Sequence, residues 1–272
     1  MGWFEALILG VVQGLTEFLP VSSSAHILIV SQLFGWQDPG AAFTAVTQIG
    51  TELAVLLYFR KDLVRIISTW GRSLVNPSLR RNLDARMGWY IIIGTIPVVI
   101  LGVLFADLIE TGARNLWLVS FTLIIFGLVL GFADRVGRKQ KSLASLNAGQ
   151  GIMFGLGQAL ALIPGVSRSG ATISTGLLLG YTREAAARYS FLLAIPAVLG
   201  SGFYEARKIG SDTSVSWGPT IMATVIAFVI GFAVIAWLLR WVSTRSFTPF
   251  VIYRVGLGLL VMILLGTGVL TS

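Results

Sequence analysis

The chain has 272 residues, of which 55% are hydrophobic and only 12% charged, and its mean hydropathy is +0.84. This composition leaves too little polar surface for a soluble protein of this size, and it predicts an integral membrane protein. The formal net charge of +8 does not indicate nucleic-acid binding, because the basic residues lie between apolar stretches. The absence of cysteine excludes disulfides, thiolate metal sites and cysteine nucleophiles.

The first apolar segment is interrupted within residues 13–26, which read QGLTEFLPVSSSAH. The apolar pieces on either side, at about 3–19 and 25–34, include at least one that is too short to span a bilayer. Proline removes a backbone donor and serine favours helix starts, so free amides are expected at membrane depth. We therefore predict a re-entrant hairpin over residues 3–34, which is tolerated only when it is buried in protein or borders a wet cavity.

Polar side chains are concentrated at this first break. Gln13 and Glu17 are four residues apart on a segment predicted to be helical, so they share one face. A carboxylate in an apolar stretch is costly unless it faces a cavity or a partner. Ser22, Ser23 and Ser24 can cap the next helix, whose free amides and dipole favour phosphate. The break therefore has the groups needed to hold an anion.

The only histidine, His26, follows these serines by two to four residues. A lone histidine is usually structural, and serines in such a position are usually only caps. Beside Glu17, however, His26 has the means to take a proton near neutral pH from a hydroxyl that attacks a substrate. We therefore predict catalytic roles for Glu17, Ser23 and His26.

Three predicted spans follow the first hairpin, with most of the basic residues between or after them. The spans lie at about 41–59, 89–105 and 116–133. Arginine and lysine are concentrated at 60–86 and 135–141, and the positive-inside rule places both connections in the cytoplasm. The connection at 107–114 carries mixed charge and is predicted to lie outside.

A second apolar segment is interrupted within residues 161–172, which read ALIPGVSRSGAT, and we predict a second re-entrant hairpin over 151–179. Arg168 is the only charged residue of this hairpin, and its planar fork suits phosphate oxygens. It could instead reach the membrane surface or pair with Glu17. We predict that both breaks form one site in which Arg168 is catalytic. The predicted substrate-binding residues are Gln13, Ser22, Ser24, Gly165, Ser167, Ser169, Gly170 and Thr172.

Three further spans complete the chain, at about 185–203, 218–239 and 251–270. The basic connection at 240–245 is predicted to be cytoplasmic and the mixed one at 205–212 to lie outside. Counting crossings, the first hairpin enters from the outer face, the second enters from the cytoplasmic face, and both termini lie outside.

The two halves of the chain therefore form a predicted inverted-topology repeat, divided into residues 1–148 and 149–272. Each half has one hairpin and three spans, and because three is odd the second half is inserted upside down. At an offset of 144 residues Pro20 aligns with Pro164 and Ser23 with Ser167. The predicted fold is an all-α integral membrane protein with a site at its centre.

The two motifs QGLTEFLPVSSSAH and PGVSRSGAT resemble the signature motifs of the undecaprenyl-diphosphatase family, of the bacitracin-resistance type. These bacterial membrane enzymes convert undecaprenyl diphosphate to the monophosphate, for reuse as the cell-wall lipid carrier. The likeness extends through TQIG near Gln48 and YSFLLAIPAVLG over 189–200. The family's first motif begins with glutamate or glutamine, so Gln13 fits but removes a potential carboxylate ligand. Glu52 lies in a predicted span and has no assigned role.

The resemblance implies hydrolysis of the terminal phosphoanhydride bond. Arg168 and the amides of both breaks would hold the diphosphate, and Mg²⁺ or Ca²⁺ would be held by Glu17 and Gln13 together with substrate phosphates. Ser23 is the predicted nucleophile with His26 as its base. Attack by His26 itself, or by water, remains open.

A transporter or flippase for an anionic lipid or phosphate is the alternative, because inverted repeats with broken helices are typical of carriers. A phosphatidic-acid-phosphatase type enzyme uses two histidines, and this chain has one. The expected partners are a polyprenyl diphosphate lipid and the bilayer, without nucleic acid, and a homodimer is left open. The expected location is the bacterial plasma membrane, with the site opening to the outer, periplasmic side.

Overall fold

The computed structural model describes residues 1–106, 115–207 and 216–271. These residues form eleven α-helices and three short 3₁₀ helices, and no strand is found among them. The predicted outer connection at 107–114, and most of the one at 205–212, lie outside the described residues. Within the described residues the protein is all-α, as predicted.

Six helices are long and apolar enough to cross a membrane, which confirms the six predicted spans. They are α3 (Gly40–Tyr58), α5 (Leu83–Leu104), α6 (Leu116–Val136), α9 (Arg183–Ala206), α10 (Trp217–Thr244) and α11 (Thr248–Gly266). Large apolar side chains on them, such as Phe132 and Ile252, are exposed, as expected for surfaces in contact with lipid. The chain is therefore a multi-pass membrane protein.

Some span boundaries differ from the prediction, and capping residues explain two of them. Helix α5 begins six residues earlier than predicted because the Asn82 side chain accepts a hydrogen bond from Asp84 N and caps it. Helix α11 ends at Gly266, before the predicted end, and is followed by Gly268 with a φ of 75°. A hydropathy pattern locates the apolar stretch but not the polar caps that begin or end the helix.

Residues 60–86, which their basic content predicts to be a connection, contain helix α4 (Arg60–Val75) and the 3₁₀ helix Pro77–Arg81. Helix α4 is amphipathic, with exposed Val64 and Ile67 among its charged residues. This pattern is typical of helices that lie at a membrane surface. Arg65 pairs with Asp62 (3.0 Å) and Asp84 (2.9 Å), so α4 is tied to the start of α5.

Each predicted hairpin consists of two short helices joined at the break. The first has α1 (Trp3–Thr16) and α2 (Ser23–Leu33), and the second has α7 (Ala148–Ala159) and α8 (Arg168–Leu178). All four are too short to span a bilayer. The serine before α2 and the serine before α8, Ser22 and Ser167, have φ values of 73° and 71°. Such angles are uncommon outside glycine, so the two breaks share a constrained turn.

The helix packing follows the pattern of a two-fold repeat. Helix α1 packs on α10 and its counterpart α7 packs on α5, while α3 packs on α9 and α6 on α11. Glycines allow the first two contacts, since a Cβ at Gly10 would overlap Ala223 and one at Gly155 would overlap Gly94. These features are consistent with an inverted repeat. The division at residue 148 and the opposite orientation of the halves remain predictions.

The structure relates the two hairpins by an offset of 145 residues, one more than the predicted 144. Helices α1 and α7 begin 145 residues apart, and so do α2 and α8. The same spacing relates Ser22 to Ser167 and Gln13 to Gln158. Ser23 thus corresponds to Arg168, because each is the first residue of its helix.

Candidate functional site

The two breaks contact each other in the folded protein. Ser169 Oγ, in the second break, donates to the carbonyl oxygen of Leu19, in the first, at 3.0 Å. Arg168 Nη2 donates to Glu17 Oε1 at 2.9 Å. The fold therefore brings together the polar groups that the sequence analysis assigned to one site.

Glu17 is the centre of this cluster and is buried. Its Oε2 accepts hydrogen bonds from Gln13 Nε2 (2.8 Å) and Ser23 Oγ (2.6 Å), and its Oε1 accepts the bond from Arg168. Donors from both hairpins therefore compensate for removing the carboxylate from water. Ser23 and Arg168, at equivalent positions in the two hairpins, bind the two oxygens of the same carboxylate.

Arg168 pairs with Glu17, which is one of the alternatives that the sequence left open. The pairing does not use the whole guanidinium, because the buried Nη1 has no hydrogen-bond partner. A buried donor without a partner is costly, and an anionic ligand would satisfy it. Arg168 is therefore placed to contact Glu17 and a phosphate at the same time.

His26 is held by two hydrogen bonds, and neither involves Ser23. Its Nδ1 lies 2.7 Å from the Ser22 carbonyl oxygen, and its Nε2 lies 2.7 Å from the Tyr253 hydroxyl, whose ring stacks on the imidazole. A carbonyl only accepts, so Nδ1 carries a proton, and in the neutral ring Nε2 accepts from the Tyr253 hydroxyl. The described contacts contain no bond between Ser23 and His26. In this structure the Ser23 hydroxyl faces Glu17 instead of its predicted base.

Arg254 joins the two breaks and was missed by the sequence analysis. Its side chain is fully buried and donates to Pro20 O (3.1 Å) in the first break and to Gly165 O (2.9 Å) and Val166 O (3.1 Å) in the second. A further bond reaches Leu123 O on α6 (3.2 Å). The available signal was a single charge inside the last predicted span, which is rarely accidental in a membrane protein.

The serine pairs adopt the same arrangement in both breaks. The hydroxyls of Ser22 and Ser24 are 3.3 Å apart, and those of Ser167 and Ser169 are 3.2 Å apart. Ser167 Oγ also accepts from Gly170 N at 3.1 Å and caps α8. These hydroxyls border the turns that carry the free amides of α2 and α8.

Three of the predicted substrate-binding residues make contacts that serve the fold. Thr172 donates to the Arg168 carbonyl (2.7 Å) and contacts the hydroxyl of Ser190 on α9. Gly165, with a φ of 82°, lies so close to Thr122 that a Cβ would overlap its hydroxyl. A Cβ on Gly170 would come within 2.8 Å of Arg254 Nη1. These three residues therefore support the conformation of the two breaks.

The oxygen atoms near Arg168 are suitable ligands for a hard divalent cation. No group of three or more His, Cys, Asp or Glu residues with metal-site spacing is found in the described part of the chain. However, Gln13 Oε1 is buried without a partner, and a second carboxylate, Glu52, lies 4.0 Å from Arg168 Nη2. Mg²⁺ and Ca²⁺ take oxygen ligands and often use few protein carboxylates with substrate phosphates. The cluster has that composition.

The fold and the cluster define a multi-pass membrane protein in which two interrupted helices build a buried polar site suited to an anionic headgroup. The chain belongs to the family of the bacitracin resistance protein BacA, whose family model matches residues 6–260. The resemblance predicted from the two motifs is thereby confirmed.

Relatives named undecaprenyl-diphosphatase match this chain over nearly their whole length. One from Nocardioides sp. is 59% identical over 271 residues, covering 99% of both chains. One from Frankia casuarinae is 61% identical over 284 residues, covering all of this chain and 97% of its own. One from Thermobifida fusca is 59% identical over 271 residues, covering all of this chain and 93% of its own.

Proposed function

We propose that this protein is a membrane phosphatase that hydrolyses undecaprenyl diphosphate to undecaprenyl phosphate and inorganic phosphate. The names of its relatives support the reaction. The observation that carries the proposal is the contact of Ser23 and Arg168 with opposite oxygens of Glu17. A hydroxyl bonded to a carboxylate, beside a guanidinium with a free nitrogen, is a set of groups suited to phosphoryl transfer. The carrier alternative gains no support from these relatives.

The terminal phosphate binds to Arg168 and to the N-termini of α2 and α8. Arg168 Nη1 donates to a phosphate oxygen, while Nη2 stays on Glu17. The free amides after Ser22 and Ser167 add donors and the positive ends of two helix dipoles. These groups also offset the negative charge on the transferring phosphoryl group. The prenyl tail remains in the apolar surroundings of the bilayer.

Ser23 is the proposed nucleophile, and Glu17 is the proposed base. Ser23 Oγ attacks the terminal phosphorus, its proton passes to Glu17 Oε2, and the bond from phosphorus to the bridging oxygen breaks. Undecaprenyl phosphate leaves, water then attacks the phosphorus of the phosphoserine, Glu17 returns its proton to Ser23 Oγ, and inorganic phosphate is released. His26 holds the turn by donating to Ser22 O. For His26 to act as base or nucleophile, its Nε2 would have to leave the Tyr253 hydroxyl.

A divalent cation, Mg²⁺ or Ca²⁺, belongs to this proposal. Gln13 Oε1 and Glu17 are the residues that would hold it, together with phosphate oxygens. When bound, the cation neutralises charge on the diphosphate and polarises the phosphoryl group.

We place the protein in the bacterial plasma membrane with the site open to the periplasmic side, because the basic connections at 60–86, 135–141 and 240–245 favour the cytoplasm.

Phosphate release from a polyprenyl diphosphate by the purified protein in detergent tests this function. We expect release that requires Mg²⁺ or Ca²⁺, and a loss of at least about a thousandfold in Ser23→Ala. Ser31→Ala is the matched control, because Ser31 is a buried serine on the same helix whose hydroxyl has no partner. Movement of the lipid between the leaflets of liposomes, without phosphate release, would contradict the proposal.

A further inference from the structure

Glu52 is the most unusual carboxylate among the described residues. It lies on α3, outside both motif segments, and is completely buried. Neither carboxylate oxygen has a hydrogen-bond partner. Its nearest cationic group is Arg168 Nη2 at 4.0 Å, beyond hydrogen-bond distance, and that nitrogen already bonds Glu17.

A structural role does not explain this arrangement. Burying a carboxylate costs several kcal/mol unless it is paired and hydrogen-bonded. Asp134 shows how the same protein satisfies a buried carboxylate, since its two oxygens accept from Arg183 Nε (2.6 Å) and Phe247 N (3.0 Å). Glu52 has no such donors, so both of its oxygens are free to bind a ligand.

The free acceptors around Arg168 come from two different helices. Glu52 on α3 has two unpartnered oxygens, and Gln13 on α1 has one. Glu17 stands between them in the contact network, bonded to Gln13 Nε2 and to the guanidinium that Glu52 faces. Oxygen atoms that lack donors and cluster around a site for an anion are ligands for a hard cation.

We propose that Glu52 is a further ligand of the divalent cation, so that the protein supplies two carboxylates and the Gln13 amide oxygen, and the substrate phosphates complete the set. This inference rests on the proposed function for the identity of the phosphate. The charges agree with it, because two carboxylates and a diphosphate together exceed the two positive charges of Arg168 and of Arg254, which joins the breaks. A cation at Glu52 would also anchor α3 to the two breaks.

Titration of the purified protein with Mn²⁺, a spectroscopic substitute for Mg²⁺, tests the inference without lipid. Free Mn²⁺ is measured by electron paramagnetic resonance on the full chain in detergent. We expect Glu52→Gln to weaken Mn²⁺ binding by about tenfold or more. Glu184→Gln is the matched control, because Glu184 is an exposed glutamate 3.7 Å from Arg188, and its removal should leave the affinity unchanged. Equal Mn²⁺ affinity in wild type and Glu52→Gln, or no Mn²⁺ binding by wild type, would overturn the inference.

Thermal unfolding without metal distinguishes two possible roles of Glu52, that of a metal ligand and that of a counter-charge which stabilises Arg168. If Glu52 is a ligand, Glu52→Gln should melt at or above the wild-type temperature, because a buried carboxylate without hydrogen-bond donors is removed. A lower melting temperature would mean that Glu52 stabilises Arg168, and the inference would fail. Neither readout uses turnover. A protein that binds Mn²⁺ through Glu52 but releases no phosphate would refute the phosphatase proposal alone.

Discussion

The carboxylate of Glu17 and the guanidinium of Arg168 lie 2.9 Å apart, although 151 residues separate them in the sequence. Glu17 is buried and Arg168 is partly buried, with exposed side-chain fractions of 4% and 14%. A buried ion pair contributes little net stability compared with apolar residues of the same volume. The pair joins the two breaks at the point where their serines and free amides also meet, so ligand binding explains its position better than folding does.

Arg168→Lys should separate ligand binding from folding. Lysine keeps the positive charge beside Glu17 but loses the planar fork with its second nitrogen. We expect phosphate release to fall about a hundredfold or more, with an unchanged elution volume and melting temperature. Arg188→Lys is the matched control, because Arg188 pairs with Asp62 (3.0 Å) away from the breaks. Full turnover in Arg168→Lys and in Arg168→Ala would show that the shared site is wrong.

The phosphorylated residue can be trapped with substrate labelled in its terminal phosphate. Phosphoserine survives acid, whereas phosphohistidine does not, so an acid quench distinguishes the candidates. Because Ser23 Oγ bonds Glu17 while both His26 nitrogens are engaged, we expect an acid-stable label in wild type and in His26→Asn. Ser23→Ala should carry none. An acid-labile label that disappears in His26→Asn would instead identify the histidine as nucleophile.

The spans and the two breaks could be predicted from the sequence, because apolar length alone decides what crosses a bilayer. Helix α4 could not, because its charged and apolar residues alternate at helical spacing within a stretch whose basic content suggested a loop. The hydrogen bond from Ser23 to Glu17 could not be predicted either. The turn at Ser22 has a positive φ, and His26 Nδ1 bonds the Ser22 carbonyl instead of the Ser23 hydroxyl. The spacing of these residues in the sequence does not predict that geometry.

Glu52 and Arg254 show what a single sequence leaves undetermined. Both were visible as isolated charges inside predicted spans, and such charges are functional or paired in most membrane proteins. Their partners lie far along the chain, Arg168 for Glu52 and Pro20 for Arg254, so only the folded structure assigns them. The sequence identified which residues were exceptional, but not which other residues they contact.

Removal of divalent cations should stop phosphate release without unfolding the protein. The cation is expected to offset the charge of the diphosphate beside Glu17, in addition to the charge that Arg168 and the helix amides offset. EDTA should abolish turnover, and added Mg²⁺ or Ca²⁺ should restore it, while circular dichroism stays unchanged. Full turnover after exhaustive chelation would contradict the cofactor proposal, because the guanidiniums and the helix amides would then supply enough positive charge without a cation.

Arg254→Met should damage stability and turnover together, unlike Arg168→Lys. Methionine fills much of the same volume but leaves the carbonyl oxygens of Pro20, Gly165 and Val166 without their donors. Each lost bond to a charged donor costs about 1.5–3 kcal/mol, so the loss should exceed about 3 kcal/mol in thermal or denaturant unfolding. Arg240→Met, at the exposed end of α10, is the matched control and should change neither property. If Arg254→Met unfolds like wild type, the two breaks do not depend on this guanidinium for their contact, and the side chains that line the site are positioned by helix packing alone.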